Sequence, residues 1–298
     1  LDVFNESYKV VKNSSGCACI QVKGDQEEGG DEEAVFEVQG VLVGLDLPPI
    51  LARNQLPERI SWAKQGVQIT GLGHPFFGEA VAAILAIHRC LGRTYSLEGL
   101  RSWICPQFGH FHSLDFSNRY ITPTTLVNGE PSVPFSSLVD PAGALLAATQ
   151  HFGAHLADNE VLYFERLEHS PEDIQYQEVD PAVFRAGQIV QLQVSFTTVP
   201  LAGRKGTFQL LCKLRSVAIL DRQLQEVSTS CYCFKIGLDF SLQAYDLALL
   251  RHELALREEV PRPLKRRVGY TSGASKRGRV QANGEPDQPM PFHPPPAV

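Results

Sequence analysis

Hydrophobic and polar positions alternate most regularly in the segment 183–221. Apolar residues occupy every second position from Val190 to Phe196, glutamine and serine fill the positions between them, and a threonine follows. Successive side chains of a strand point to opposite faces, so this pattern predicts a strand with one apolar and one polar face. A second alternating run begins at Phe208, after a connection at 200–206 that contains a proline and two glycines. The segment therefore predicts an antiparallel hairpin at 187–220.

The polar face of this hairpin carries most of its charge. Near the end of the second strand Val217 and Ile219 break the alternation, which indicates a strand covered on both sides there. Basic and amide side chains on this face and on the connecting loop predict an exposed surface for an acidic peptide or a nucleic acid. The alternative is an ordinary solvated face. The candidate binding residues are Arg204, Lys205, Lys213, Arg215, Gln191 and Gln193.

The remaining elements are read from spacing and capping residues. Short strands alternate with turns over 1–50, and apolar residues at helical spacing after Pro75 predict a helix at 75–91. Asp140 is the expected N-cap of a helix reaching about 155, and a closing helix is expected at 240–259. Trp62 is expected to anchor the core. This order of elements predicts an α+β fold, rich in antiparallel strands, barrel- or sandwich-like, with a few flanking helices.

The pattern also predicts a division into domains. A strand-rich domain is expected at 1–125, because residues 126–139 are rich in proline, threonine, serine and glycine and have the composition of a linker. A second α+β domain at 140–260 is expected around the hairpin. The segment 261–298 has no apolar periodicity and ends in a proline-rich stretch, so a disordered basic tail is expected.

Charge divides the 298-residue chain unevenly. The net charge is −6, but the tail carries seven basic and two acidic residues, which leaves −11 on residues 1–260. An acidic body repels phosphate backbones and disfavours nucleic-acid binding outside the tail. The tail has two basic clusters at a spacing typical of a nuclear-import signal. Those clusters consist of Lys265, Arg266, Arg267, Lys276, Arg277 and Arg279.

The cysteine content indicates the cellular compartment. The seven cysteines, an odd number spread along the chain, are not typical of a disulfide scaffold, so we expect a reducing, intracellular and nuclear location. No apolar run reaches the length of a membrane helix, so we expect a soluble protein without a membrane partner. The chain begins at Leu1 and its single methionine is Met290, which indicates a truncated or processed product.

One local pattern indicates metal chemistry. In an extended segment at 104–121, His110 and His112 would share a strand face, and Asp115 could supply a third ligand to zinc or iron. The alternative is a loop with ordinary histidines. The chain lacks the glycine-rich phosphate loops, nucleophile elbow and kinase signatures, so no catalytic residue is predicted and we expect no cofactor.

Three phrases resemble a known family. The sequences DNEVLYFERL, FRAGQIVQLQV and LRSVAILD, within residues 140–225, are similar to a family of uncharacterised proteins expanded in mushroom-forming fungi. That family has no assigned activity, so the resemblance implies no functional residue. FRAGQIVQLQVSF also resembles the opening strand of chromatin-reading and other small barrel modules.

These observations favour a non-enzymatic interaction module in the nucleus. It would bind a protein or a nucleic acid through the polar face of the hairpin and the basic tail. The alternative function is a metal-dependent enzyme, an oxygenase or hydrolase, that uses His110 and His112. The sequence predicts no oligomeric state.

Overall fold

A computed structural model describes residues 2–23, 32–96, 99–127, 129–170, 173–222 and 264–265. The strands are β1 Tyr8–Lys12, β2 Ala18–Val22, β3 Glu32–Asp46, β4 Lys64–Thr70, β5 Gln107–Phe108, β6 Phe111–Arg119, β7 Thr122–Pro123, β8 Gly153–Ala154, β9 Leu162–Ser170, β10 Asp173–Glu178, β11 Ile189–Pro200, β12 Phe208–Asp221 and β13 Leu264–Lys265. The α-helices are α1 Asp2–Ser7, α2 Pro75–Gly92 and α3 Ala144–Thr149. The fold is α+β and mostly strand, as the sequence predicts.

The predicted hairpin is present and long. β11 and β12 pair antiparallel from Ile189 opposite Asp221 to Pro200 opposite Phe208. The connection contains Gly203 and Gly206, both with positive φ, a conformation that residues with a Cβ rarely adopt. The hairpin prediction is therefore confirmed, and its loop is the longer kind that the proline and glycines indicate.

A β-bulge at Arg215 explains the break in the pattern of the second strand. Gln193 pairs with Ser216 and Val194 pairs with Leu214, so Arg215 has no partner residue on β11. The extra residue shifts the alternation of β12 by one position. Val217 consequently lies opposite Leu192, on the apolar face. The end of the strand is also buried on both faces, as the sequence predicts.

The strands around the hairpin close into a ring. β11 pairs with β3, β3 with β4, and β4 with β6, all antiparallel. β6 returns to β12 through a parallel bridge between Ser117 and Lys213, so these five strands form a barrel-like circuit. β9 adds to β12 in parallel, and β10 adds to β9. The sheet is therefore mixed, with two parallel pairings in a fold that is otherwise rich in antiparallel strands, as the sequence predicts.

The predicted division into two domains falls inside this sheet. β11, from the predicted second domain, hydrogen-bonds along β3, from the first. One cluster of buried side chains extends from Ala18 to Ile219 and includes residues of both halves. In the predicted linker 126–139, the backbone carbonyl of Val139 accepts a hydrogen bond from the N–H of Ile50. The two halves thus share one sheet and one core.

Helix α2 covers the apolar face of the sheet. It begins at Pro75, as the sequence predicts, and its buried residues Phe77, Val81, Ile84 and Leu91 join the main core. Gly71 permits the close approach, because a Cβ there would lie 2.2 Å from the Cβ of Phe77. Among the described residues α2 alone has the length and composition of a membrane span, but the core helix of a soluble protein meets the same criteria.

Two other helix predictions have different outcomes. The helix expected over 140–155 is reduced to α3, Ala144–Thr149. The N-cap residue is Gly143 and not the predicted Asp140, because the helix begins only at Ala144. The carboxylate oxygens of Asp140 still accept the backbone N–H groups of Leu145 and Leu146 at 2.9 and 2.8 Å, in the first turn. The helix expected at 240–259 lies outside the described residues. So does the tail 261–298, except for β13, which pairs with β3.

Candidate functional site

The predicted binding face of the hairpin is mostly buried. Gln191 and Gln193 are 3% and 6% exposed, and Lys213 and Arg215 are each 7% exposed. Only Arg204 and Lys205, in the connecting loop, are exposed. The prediction of an accessible surface made of all six side chains is therefore wrong. Neighbouring segments place complementary polar groups against this face, and alternation along one strand does not reveal them.

Arg215 is at the centre of a hydrogen-bond network on this face. Its Nε donates to Ser195 Oγ at 3.0 Å, and its Nη1 donates to the backbone carbonyl of Asp158 at 2.8 Å. Its Nη2 donates to both carboxylate oxygens of Glu33 and, at 3.1 Å, to Asp158 Oδ1. Ser195 in turn donates to Glu33 Oε1 at 3.0 Å. The bulge aims this guanidinium at two carboxylates from distant parts of the chain.

Lys213 extends the same network. Its ammonium donates to Asp158 Oδ2, and Asp158 lies in the short 3-10 helix Ala157–Asn159, which crosses this face. Burial and the nearby charge of Arg215 lower the pKa of Lys213 to about 8, against the attraction of Asp158 and Glu33. Burial also lowers the pKa of Arg119, which Asp158 partly offsets. The network is a set of paired charges that fixes the crossing segment.

The same face contains no activated nucleophile among the groups described. Burial and the charge of Glu33 raise the pKa of Cys19, so its thiol stays protonated at neutral pH. Gln193 donates to Glu37 at 3.3 Å and accepts from Ser216 at 3.0 Å. We therefore interpret the polar face as a structural element that holds the sheet and its covering segments together.

The predicted metal ligands do not come together. His110 lies in the turn between β5 and β6, next to Gly109, whose φ is +61°. His112 and Asp115 are three positions apart on β6, so their side chains point to opposite faces of the strand. The expectation that His110 and His112 share a strand face is wrong, because the chain turns at His110. Over the described ranges no three histidine, cysteine or acidic side chains are close enough to hold a metal ion.

A cleft of about 340 Å³ lies at the other end of the sheet, where β3 ends and β4 begins. Apolar walls are supplied by Ile50, Leu56, Pro57 and Ala63, and polar groups by Asp46, Gln55, Lys64 and Tyr120. Trp62 lies at its edge and is 65% exposed. This size and mixture of apolar walls with a few polar groups are typical of a binding pocket. A second cleft, lined in part by His155, Val161 and Tyr163, has a volume of only about 50 Å³.

Tyr120 gives the cleft its most informative polar group. The residue is 2% exposed, and its hydroxyl has no hydrogen-bond partner among the described residues. Burial, together with the charge of Asp46, raises the pKa of Tyr120, so the phenol remains protonated. A buried hydroxyl without a partner costs free energy. The oxygen is closed to solvent, so an occupant of the cleft does not contact it in this conformation. Asn118 Oδ1 is likewise buried without a partner in the described segments, but Asn118 does not line the cleft.

A second buried tyrosine nearby is fully paired. The hydroxyl of Tyr163 donates to Gln65 Oε1 at 2.7 Å, and Gln65 Nε2 donates to the carbonyl of Asn159. His155 Nδ1 donates to the backbone carbonyl of Tyr120 at 2.6 Å, which fixes the segment that presents Tyr120. Tyr120 is thus held rigidly by its backbone while its hydroxyl stays unpaired.

Sequence reasoning did not find this site. Trp62 was expected in the core, but its side chain is exposed, and the indole stacks with the guanidinium of Arg59 at 4.9 Å. The basic residues Arg59 and Lys64 on either side of Trp62 are the one signal that indicates an exposed segment. Nothing in the sequence around Tyr120 distinguishes it from a core residue at the end of a strand.

Comparison of the chain with protein-family models, curated protein sequences and solved structures gave no significant match. The resemblance to the fungal family therefore stays a prediction.

Proposed function

We propose that this protein is a non-enzymatic interaction module that binds a segment of a partner protein at the Trp62 cleft. The observation that carries the proposal is a cleft of about 340 Å³ with largely apolar walls that the exposed indole of Trp62 borders. The cleft replaces the polar face of the hairpin as the binding surface, because that face is occupied by its own partners.

Exposed apolar side chains around the cleft support a protein partner. Leu45 is 42% exposed, Leu51 is 57% exposed and Trp62 is 65% exposed, all within one short segment of the chain. Large apolar groups exposed together mark interaction surfaces, and tryptophan is among the residues that contribute most to binding. A small molecule held in a pocket would not need this apolar border.

Three other hypotheses remain predictions. Nuclear location and nucleic-acid binding rest on the tail clusters, which lie outside the described residues apart from β13. Of the hairpin residues proposed for nucleic acid, Arg204 and Lys205 alone are accessible. The metal-dependent enzyme has no favouring observation, since its proposed ligands lie apart.

A peptide selection tests the proposed function. A random peptide library displayed on phage is selected on the immobilised full chain and, in parallel, on Trp62→Ala. We expect enriched peptides to bind the wild type and to lose about tenfold or more in affinity on Trp62→Ala, measured by calorimetry.

The matched control is Phe152→Ala, which removes an equally exposed aromatic side chain outside the cleft. Peptides should bind this variant as they bind the wild type. Failure to enrich any peptide, or equal binding to Trp62→Ala, would overturn the proposal.

A further inference from the structure

The strand β10, Asp173–Glu178, lies at one end of the large sheet. Among the described strands it pairs with β9 alone, whereas β9 itself lies between β10 and β12. The backbone N–H and C=O groups on the outer side of such an edge strand have no sheet partner, so another extended segment can pair with them. The β10 edge is therefore a surface on which a further strand can add to the sheet.

The side chains of β10 leave this edge accessible and make it acidic. Its residues are alternately exposed and half-buried from Asp173 to Gln177, and Glu178 is exposed. Both charged residues of the strand, Asp173 and Glu178, are acidic, and neither forms a salt bridge with a described residue. Asp173 Oδ1 accepts a hydrogen bond from Gln175 Nε2 at 3.0 Å, but that amide is neutral. The edge consequently carries two carboxylates without a compensating cation in the described segments.

The arginines beside β10 do not supply that cation. On β9, Arg166 forms a salt bridge with Glu168. At the end of β12, Arg222 Nε donates to Glu165 Oε1 at 2.7 Å. Each guanidinium already compensates one carboxylate of β9, so the charge of Asp173 and Glu178 remains available to a partner.

Charge also decides between a second copy of this chain and a different protein. Antiparallel pairing of two copies along the whole of β10 would place Asp173 of each copy opposite Glu178 of the other. Parallel pairing in register would place each acid beside the same acid. Like charges directly opposite each other destabilise a strand pair, whereas opposite charges stabilise it. The edge is therefore complementary to a basic strand and not to itself.

The sheet already pairs with one short basic segment. The strand β13, Leu264–Lys265, comes from the first basic cluster of the tail and pairs antiparallel with β3. Lys265 lies opposite Ala34, which follows Glu33 in the chain. An extended basic segment beside an acidic residue is thus compatible with this sheet.

We propose that the β10 edge binds an extended, basic segment of a partner protein as an added strand. Backbone hydrogen bonds hold the segment, and its lysine or arginine side chains lie beside Asp173 and Glu178. Its apolar side chains pack beside Ile174 and Tyr176, which are half-buried. No residue of β10 lines the Trp62 cleft, so this inference adds a second surface to the proposed function and does not rest on it.

Three synthetic heptapeptides with blocked ends are the probes. The first alternates lysine with valine, and the second alternates glutamate with valine. The third is the lysine peptide with a methyl group on every backbone nitrogen, which removes the hydrogen-bond donors and keeps the charge. Each is added to the full chain, and amide hydrogen exchange is followed by mass spectrometry. We expect exchange over 173–178 to become slower with the first peptide only.

Charge reversal at the edge tests the position of the site. Asp173 and Glu178 are exposed, so Asp173→Lys combined with Glu178→Lys should preserve the fold. We expect its affinity for the lysine peptide, measured by calorimetry, to fall about tenfold, and the glutamate peptide to bind instead. The matched control combines Glu79→Lys with Glu130→Lys, which changes the net charge equally at exposed positions outside β10. Its affinity should change less than about twofold.

Four results would overturn the inference. Equal binding of the methylated peptide would show that charge alone holds the probe, and equal losses in the two double variants would place the contact elsewhere. Slower exchange over 173–178 at higher protein concentration, without peptide, would identify a second copy as the occupant. Unchanged exchange with all three peptides would mean that the edge binds no strand.

The variant Trp62→Ala separates this inference from the proposed function. It should bind the lysine peptide as the wild type does, because the indole lies outside β10. Failure to select any Trp62-dependent peptide would overturn the cleft and leave the edge standing. Failure of the lysine peptide to slow exchange would overturn the edge and leave the cleft standing.

Discussion

Two regions of this protein bury polar side chains in different ways. On the polar face of the hairpin, every guanidinium nitrogen of Arg215 donates a hydrogen bond, to Ser195, Asp158 or Glu33. At the Trp62 cleft, the hydroxyl of Tyr120 is equally buried but has no partner in the described segments. Paired polar groups specify a fold, whereas an unpaired group beside a cleft costs free energy in the unbound protein. The first region is therefore interpreted as structural. The second is the proposed binding site, because the exposed indole of Trp62 borders its cleft.

The sequence alone suggests the reverse assignment, with the hairpin face as the binding surface and Trp62 in the core. Four charged or amide side chains on the hairpin resemble a binding surface, and a lone tryptophan resembles a core residue. The structure reverses both interpretations, because accessibility depends on what packs against each face. Charge alone is a poor guide to function when the complementary charges come from distant segments such as 33 and 158.

The largest expected effect is the loss of Arg215. In Arg215→Met the carboxylates of Glu33 and Asp158 both lose the guanidinium that donates to them, so we expect the free energy of unfolding to fall by about 3–5 kcal/mol. Denaturant unfolding followed by fluorescence measures this change. Arg204→Met, in the exposed loop, is the matched control and should change the free energy by less than about 0.5 kcal/mol. Equal effects of the two substitutions would mean that the network is not structural.

The next largest effect is the pH dependence of the free energy of unfolding that the titration of Lys213 causes. Its pKa is about 8 in the folded protein against an ordinary 10.5, so between these pH values the unfolded chain binds more protons than the folded chain. The free energy of unfolding of the wild type should therefore rise from pH 8 to about pH 10.5, by roughly 2–3 kcal/mol. The cost of burying the charge is fully present below pH 8.

Lys213→Met removes this dependence and serves as the reference. Unfolding curves for both proteins are recorded at each pH, and the difference between them is followed. A difference that does not change across this window would show that Lys213 keeps its ordinary pKa and that its ammonium is solvated.

The smallest expected effect is the effect of Trp62→Ala on stability. Because the indole is exposed, its removal should change the free energy of unfolding by less than about 0.5 kcal/mol while it lowers peptide affinity about tenfold or more. Thermal unfolding and calorimetric titration on the same sample measure stability and peptide binding separately. A loss of several kcal/mol would show that the Trp62 side chain is packed in the core, as the sequence predicts.

Much of the fold could be predicted from short-range patterns. Alternation and turn residues identify the β11–β12 hairpin, and Pro75 with helical spacing identifies α2. The shared core could not be predicted, since the pairing of β11 with β3 joins segments about 150 residues apart and no local pattern encodes it. The bulge at Arg215 was visible only as a break in alternation, which burial on both faces also explains.

The candidate site could not be predicted from the sequence, for physical reasons. Tyr120 is buried like any core aromatic residue, and its distinguishing property is the absence of a partner, which only three-dimensional packing reveals. Trp62 was misplaced because large apolar residues are usually buried. The metal hypothesis failed on local geometry, since a turn at Gly109 separates His110 from the strand that carries His112.

The most direct test compares the two buried tyrosines, Tyr120 and Tyr163, by replacing each with phenylalanine. Tyr163→Phe removes a paired hydroxyl and leaves Gln65 Oε1 without its donor, so the free energy of unfolding should fall by about 1–2 kcal/mol. Tyr120→Phe removes a hydroxyl without a partner, so stability should stay the same or rise by up to about 1 kcal/mol. Equal losses of stability in the two variants would show that the Tyr120 hydroxyl is already satisfied in the folded protein, and would contradict the contrast between the two regions.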